Sequence, residues 1–437
     1  MKIRFWGTRG SIATPGPSTN RFGGNTSCVE VVTNAGQRFI LDCGTGARLL
    51  GVHMMAHAPK PIKATILISH THWDHIQGFP FFAPLFVPGG HITVCGPSGS
   101  HNSLPETLSG QMEYTYFPVK LGDLGAHIDY KEFPEGENEV GGVRIVTQLL
   151  NHPALTLGYR IEADGASVMY VCDHEPYWEP LWRSDAAAGD LDSILHSGDR
   201  RHAEFMRNAD VVIHDAQYTP EEYPAKKNWG HSTYRYATQI AAAANVKQLF
   251  LTHHDPTHDD AFIQRIEEQA REGAGSSLQV SCAQEGFELT VEGDGSGQIG
   301  SGGVHPAAAR RSQPQLILIV DDDEDLRILV RKTLVRTGNA ILEAEGGHMA
   351  LELIQSRRPD LILLDLLMPD LHGFEVLRQI RANPATRDLH VVVLTAMGDE
   401  ASVRTCFELG ATDYLVKPFT APQLDTRVKS ILGRTKP

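Results

Sequence analysis

Short apolar runs dominate the first two thirds of the chain. Arg38–Asp42, Ala64–Ser69, Ile92–Gly96, Val143–Leu149 and Ser167–Cys172 have strand length, and Gly, Pro, Asn or Asp bounds several of them. Helical periodicity comes later, over Thr233–Ala244 and Ala261–Gly273. Ser232 is the candidate N-cap of the first, Asp259 or Asp260 of the second. Strands Val211–His214 and Gln248–Thr252 flank the first of these helices. Many strands with few helices predict two sheets packed together with helices outside, rather than a doubly wound parallel sheet.

The pattern breaks at Gly293-Asp294-Gly295-Ser296-Gly297 and stays aperiodic and rich in Gly and Ser toward Pro314, which predicts a flexible linker. Beyond it the rhythm is regular. Strands Leu316–Val320, Ala340–Glu343, Leu361–Leu364, His390–Leu394 and Tyr414–Val416 alternate with amphipathic helical patterns. That rhythm predicts a parallel sheet covered on both faces. The expected division is 1–292, a linker at 293–314, and 315–437.

Composition narrows the class. The chain has 437 residues, too many for one ordinary domain, with 41% hydrophobic and 21% charged content. Its net charge of −14 disfavours nucleic acid or a polybasic membrane anchor as a partner. Met1-Lys2-Ile3-Arg4-Phe5-Trp6 runs directly into a strand pattern without a signal-peptide core, and no apolar run is long enough to span a membrane. The six cysteines form no CxxC pair, as expected of reduced core residues in a cytoplasmic protein.

The candidate chemistry is concentrated in His70-Thr71-His72-Trp73-Asp74-His75, directly after an apolar strand. Imidazole and carboxylate groups together suit Zn²⁺ and its first-row neighbours. His152 follows Val143–Leu149, Asp173 follows Ser167–Cys172, and His253 follows Gln248–Thr252. One strand-end ligand residue would be a weak signal. Its repetition at one end of several strands is a strong one.

Over Met1–Val291 these residues resemble the metallo-β-lactamase superfamily, whose HxHxDH element is specific. The resemblance implies an αββα sandwich with two metal ions at one rim, Zn²⁺ first, with Mn²⁺ or Fe²⁺ as alternatives. It implies His70, His72 and His152 on one metal, Asp74, His75 and His253 on the other, and Asp173 between them. Two such ions can clamp the attacking and leaving oxygens of a displacement. Asp42, before Cys43-Gly44-Thr45-Gly46, matches an early family aspartate expected to support the ligand loop.

Asp215 and Gly230-His231-Ser232-Thr233 look like the acidic residue and HST element of the ribonuclease Z and phosphodiesterase branch. There, Asp215 would orient His231 as proton donor to the leaving alkoxide, and Asp74 would also orient the nucleophile. The chain departs from tRNA-processing enzymes in one respect. Only the hairpin-sized Pro153–Cys172 separates His152 from Asp173, where those enzymes insert a long substrate-docking arm. A small phosphodiester such as a cyclic nucleotide is therefore the expected substrate. Alternatives are a ribonuclease, a lactone or thioester hydrolase, or a non-catalytic phosphorylation-dependent adaptor. The loop Gly7–Asn25, with Arg9, Arg21 and Asn25, is a candidate pocket wall, although both arginines could equally be solvated surface charges. Pro176–Asp199, with Trp178 and Trp182, is a candidate lid or partner surface.

Asp321, Asp322, Asp365, Thr395 and Lys417 lie where the later strands end. Over Gln315–Gly433 this arrangement resembles a doubly wound (βα)5 response-regulator receiver domain. The resemblance implies Asp365 as phosphoacceptor, Mg²⁺ on Asp321, Asp322 and Asp365, and Thr395, Tyr414 and Lys417 as the switch. It further implies a sensor histidine kinase as phosphodonor. The sequence leaves the oligomeric state open, with a homodimer one candidate because both families often dimerise.

Overall fold

The computed structural model describes residues 1–97, 103–182, 191–275, 277–293, 315–336, 338–395, 405–406, 409–419 and 421–432. It contains two compact units, Met1–Pro306 and Ala307–Pro437. The expected linker at 293–314 falls, apart from Gly293, outside the described residues.

In the first unit the first sheet has seven strands. In chain order they are β1 (Lys2–Gly7), β2 (Cys28–Val32), β3 (Arg38–Leu41), β4 (Lys63–Leu67), β5 (His91–Pro97) and β6 (His127–Phe133), with the late strand Glu288–Thr290 closing the edge beside β1. The second sheet comprises β7 (Gly136–Val140), β8 (Val143–Leu149), β9 (Leu157–Ala163), β10 (Ala166–Val171), β11 (Val211–Asp215), β12 (Gln248–Thr252) and β13 (Gln279–Cys282).

Strand periodicity explains how the first sheet is covered on both sides. Phe39 and Leu41 of β3, Leu67 of β4 and Cys95 of β5 enter a core shared with the second sheet. Their neighbours Ile40, Ile66 and Val94 point the other way, against Ala47, Leu50 and Met54 of α1 (Gly46–His57). Phe5 and Phe250 join the sheets, with ring centroids 5.2 Å apart. Strands β10 and β11 are buried at every position. That is the signature of central strands covered on both faces. Their cover comes from α2 (Ser197–Met206), α3 (Tyr234–Ala243) and α4 (Asp260–Gly273), whose apolar faces join the same core. The first unit is an αββα sandwich.

Two local expectations are corrected. Thr233, not Ser232, caps α3, accepting the Tyr236 amide at 3.1 Å. Ser232 is held elsewhere, its amide donating to Asp215 at 2.9 Å and its hydroxyl to the His174 carbonyl. Trp178 is buried and Trp182 packs against the core, so neither is a free lid side chain. Residues 183–190 of that insertion lie outside the described residues. All six cysteines are buried and unpaired. Among the described residues, no helix is long and apolar enough to cross a membrane.

The second unit has a five-stranded parallel sheet. Its strands are β14 (Leu316–Val320), β15 (Ala340–Ala344), β16 (Leu361–Asp365), β17 (His390–Thr395) and β18 (Asp413–Val416), in spatial order β15-β14-β16-β17-β18. Alternate residues of β16 serve different cores. Ile362 and Leu364 pack with one set of helices, Leu361 and Leu363 with the other. The sheet is doubly wound.

Candidate functional site

Strands β3, β4 and β5 are mutually parallel, as are β10, β11 and β12, so the loops after their C-terminal ends gather at one rim. Asp42 follows β3, His70 to His75 follow β4, Asp173 follows β10, Asp215 ends β11 and His253 follows β12. His152 follows β8, which shares the direction of β10 because β9 is antiparallel to both.

Two groups of candidate ligands meet there. One donor atom each from His70, His72, His152 and Asp173 lie within 4.8 Å of one another, and so do those from Asp74, His75 and His253. Asp173 faces both groups. Its Oδ1 lies 3.1 Å from His75 Nε2 and 3.3 Å from His253 Nε2. Its Oδ2 lies 3.5 Å from His70 Nε2 and 3.7 Å from His152 Nε2. Asp74 Oδ2 sits 3.2 Å from His75 Nε2 and 3.1 Å from His253 Nε2.

The donor set fits divalent metal. His70 Nε2, His75 Nε2 and Asp173 Oδ1 are buried without a hydrogen-bond partner among the described residues. Such groups are costly unless something satisfies them. Burial, reinforced by His75, lowers the pKa of His70 well below the ordinary imidazole value. Burial likewise holds His152 down at about 3, so both rings stay neutral, as ligands must be. Burial also opposes charge on His75, but Asp74, Asp173 and Asp42 outweigh it and raise its pKa. Asp173 is held anionic in spite of burial, because His253, His75, His70 and His231 surround it.

Asp42, wholly buried and at φ +59°, supports this rim from beneath. Its Oδ2 accepts from His75 Nδ1 at 2.7 Å, the Ser69 hydroxyl at 2.7 Å and the Tyr170 hydroxyl at 2.8 Å. Its Oδ1 accepts the Ser69 amide at 2.7 Å. The carboxylate therefore fixes which His75 nitrogen faces the centre.

His231 and Asp215 come together beside the ligand groups. His231 Nδ1 is 3.2 Å from Asp215 Oδ2 and 3.9 Å from Asp173 Oδ2. Burial alone would lower the His231 pKa, but Asp215 and then Asp173 overcome it and push it up to about 9. Amides of Ser232, His174 and Gln217 also donate to Asp215.

Several positioning residues carry no motif. Gln217 Oε1 accepts from His253 Nδ1 at 2.9 Å, and the Ser11 amide donates to Asp74 Oδ2 at 2.8 Å. The Gly230 carbonyl accepts from His152 Nδ1 at 3.0 Å. Gly230 has φ +91°, and a Cβ there would lie 2.1 Å from that nitrogen, so only glycine fits. The short spacing Asp215-Ala216-Gln217 after an apolar strand is the one sequence cue that could have flagged Gln217.

The two arginines of Gly7–Asn25 differ: Arg21 is exposed, whereas Arg9 is no surface charge. Arg9 is wholly buried and donates to the carbonyls of Gly23 at 2.7 Å, Asp255 at 3.1 Å and His258 at 2.6 Å. It pins the N-terminal loop to the segment after His253. Arg21 hydrogen-bonds Gln264, and the Asn25 side chain donates to Glu285. Between His152 and Asp173 the structure shows β9 and β10 joined by the tight turn Asp164-Gly165.

In the second unit, Asp321, Asp322 and Asp365 offer donor atoms within 4.8 Å of one another. Lys417 Nζ lies 2.7 Å from Asp321 Oδ2 and 3.0 Å from Asp365 Oδ2. These carboxylates overcome burial and raise the lysine pKa. Thr395 ends β17, fully buried, and its carbonyl accepts the Lys417 amide at 2.7 Å. Tyr414, in β18, is partly buried against the core.

Comparison with known proteins assigns both units. Residues 37–254 match the beta-lactamase superfamily domain, and residues 317–429 match the response regulator receiver domain. The first unit therefore contains a beta-lactamase superfamily domain and the second a response regulator receiver domain. The receiver is 47% identical over 118 residues to the transcriptional regulatory protein ResD of Bacillus subtilis, covering 27% of this chain and 48% of that protein. It is 40% identical over 121 residues to the phosphate regulon transcriptional regulatory protein PhoB of Pseudomonas aeruginosa, covering 28% of this chain and 53% of that protein. The chain thus spans about half the length of the curated relatives it matches. Among solved structures, a diphosphatase from the PhnP family aligns with 67% of this chain and 98% of its own, at 17% identity and a TM-score of 0.46.

Proposed function

We propose that the chain is a cytoplasmic two-component signalling enzyme. In this reading the first unit hydrolyses a small phosphodiester, with a cyclic nucleotide as the favoured type, under control of aspartyl phosphorylation. The hydrolase spans 1–292 and the receiver 315–437, joined by 293–314. His70, His72 and His152 would hold one divalent ion, Asp74, His75 and His253 a second, and Asp173 both. When bound, these ions would supply positive charge to the phosphoryl oxygens and lower the pKa of water.

The observation that carries the reading is the His231–Asp215 pair beside Asp173. Asp215 orients the His231 ring through Nδ1, and the carboxylates around it keep the ring protonated. A buried imidazolium next to a centre of this kind can give its proton to a departing alkoxide. Asp74 keeps Oδ2 on Ser11, His75 and His253, so its other oxygen can orient the nucleophile. A lactone or thioester hydrolase has less need of such a donor. The compact β9–β10 hairpin and the net charge of −14 favour a small anionic ester over a large polyanion.

Asp365 would accept a phosphoryl group from a sensor histidine kinase, with Mg²⁺ on Asp321, Asp322 and Asp365 offsetting charge, and Lys417, Thr395 and Tyr414 responding. The test is hydrolysis of bis(p-nitrophenyl) phosphate by Zn²⁺- and Mn²⁺-loaded protein. Turnover should require metal, and His231→Ala should lose about 10²–10⁴-fold on an alkyl phosphodiester, whose alkoxide needs a proton, and less on this aryl ester. No turnover with either metal would overturn the reading.

A further inference from the structure

Beyond the metal-ligand rim, a run of side chains leads outward from His231. The Tyr218 ring packs edge-on against the His231 ring at 5.9 Å. Lys226 Nζ lies 5.9 Å from the Tyr218 ring and 4.2 Å from the Trp229 ring. Trp229 is 59% exposed. Glu222, the acid four residues before Lys226, is engaged by His258 at 2.8 Å.

The backbone that carries this indole is anchored by hydrogen bonds. The Trp229 amide donates to the Lys226 carbonyl at 3.2 Å, closing a turn. Glu175 accepts the Asn228 amide at 2.7 Å and the Gly230 amide at 2.9 Å. The next carbonyl, that of Gly230, is the one that orients His152. Trp229 therefore stands one residue from a contact made by a candidate ligand. A second exposed tryptophan, Trp73, leaves the backbone between His72 and Asp74, and His72 Nδ1 lies 3.2 Å from His152 Nε2.

An exposed indole capped, among the described residues, by a lysine is a ready stacking surface, because any nucleobase has a π-face to offer. We propose that Trp229 and Lys226 form the recognition subsite for a nucleoside phosphate, the base stacking on Trp229 and the phosphate meeting Lys226 on the Tyr218–His231 side. The inference rests on the phosphodiesterase reading for its choice of ligand. The incoming base displaces the Lys226 ammonium from the indole face. The ammonium then lies between the base and the centre, where a phosphate would sit.

The test is calorimetric titration of the full-length protein with AMP and, separately, with inorganic phosphate, for wild type, Trp229→Ala and Trp229→Phe. Wild type should bind AMP about ten-fold or more tighter than phosphate. Trp229→Ala should lose that preference, a change of about 1.4 kcal/mol, within the range of base–aromatic stacking. Trp229→Phe should keep most of it, since a phenyl ring still stacks, and Lys226→Ala should weaken both ligands. Equal wild-type affinity for AMP and phosphate, or an intact preference in Trp229→Ala, would overturn the proposal. Turnover of methyl p-nitrophenyl phosphate is scored separately. No turnover with the AMP preference intact would remove the phosphodiesterase reading and leave the stacking site standing.

Discussion

Asp42→Asn separates the support beneath the rim from the rim itself. The carboxylate accepts four hydrogen bonds, three at Oδ2 and one at Oδ1. A carboxamide has a single acceptor oxygen. Placed at the Oδ2 position it keeps the bonds from His75, Ser69 and Tyr170 but turns its NH₂ toward the Ser69 amide, donor against donor. The orphaned buried amide costs about 1–3 kcal/mol. Loss of charge weakens the three remaining bonds, which are roughly twice as strong when the acceptor is ionised. A total destabilisation of about 2–4 kcal/mol follows. The backbone adds little, because asparagine tolerates the φ of +59° found here. Alanine would be a poorer probe, adding a left-handed penalty of about 1–2 kcal/mol. His75 would also lose the anion that fixes its tautomer, and metal affinity should drop about 10–100-fold. All five tryptophans, at positions 6, 73, 178, 182 and 229, belong to the first unit, so urea unfolding followed by tryptophan fluorescence reports on that unit alone. Zn²⁺ titration against a chromogenic chelator gives the affinity. Wild-type stability together with wild-type Zn²⁺ affinity would refute the reasoning.

Other perturbations address separate parts of the account. In metal-free protein His231 should titrate near pH 9 by histidine NMR, and Asp215→Asn should move it down. Its folded pKa lies above the free value, so the stability it contributes is complete below about pH 6.5 and is lost as pH rises through about 9. A titration below the free value would reverse that sign. Arg9→Ala strips two buried carbonyls and one part-buried carbonyl of their donor and should cost about 2–5 kcal/mol, read by the same urea unfolding. A loss below about 1 kcal/mol would show the pin to be slack. Asp365→Asn should abolish Mg²⁺-dependent labelling by a phosphorylated histidine kinase, measured by radiolabel transfer, whereas retained labelling would place the acceptor elsewhere.

The parts of this molecule legible in sequence share one physical property: they are set by local spacing. Strand length and strand-end position place His70, His152, Asp173 and His253 without reference to partners. The βα rhythm likewise places Asp321, Asp365 and Lys417 at one edge of a parallel sheet. Contacts decided by chains meeting in space were not legible. Tyr170 sits mid-strand as an apparent core residue, yet its hydroxyl crosses between the sheets to Asp42. Ser11 acts through its amide, which carries no side-chain signature. Arg9 looks like a surface charge until three carbonyls from distant segments close around it. Ser232 and Thr233 are equally good caps by type, and only the pull of Asp215 on Ser232 leaves the cap to Thr233.

The most direct test of the central claim compares leaving groups. Metal-loaded wild type and His231→Ala are assayed on an aryl phosphodiester, whose phenolate departs without a proton, and on an alkyl phosphodiester, whose alkoxide needs one. If His231 is the proton donor, His231→Ala should lose about 10-fold or more additional kcat on the alkyl ester than on the aryl ester. An equal loss on both would leave His231 a positioning residue and contradict the account.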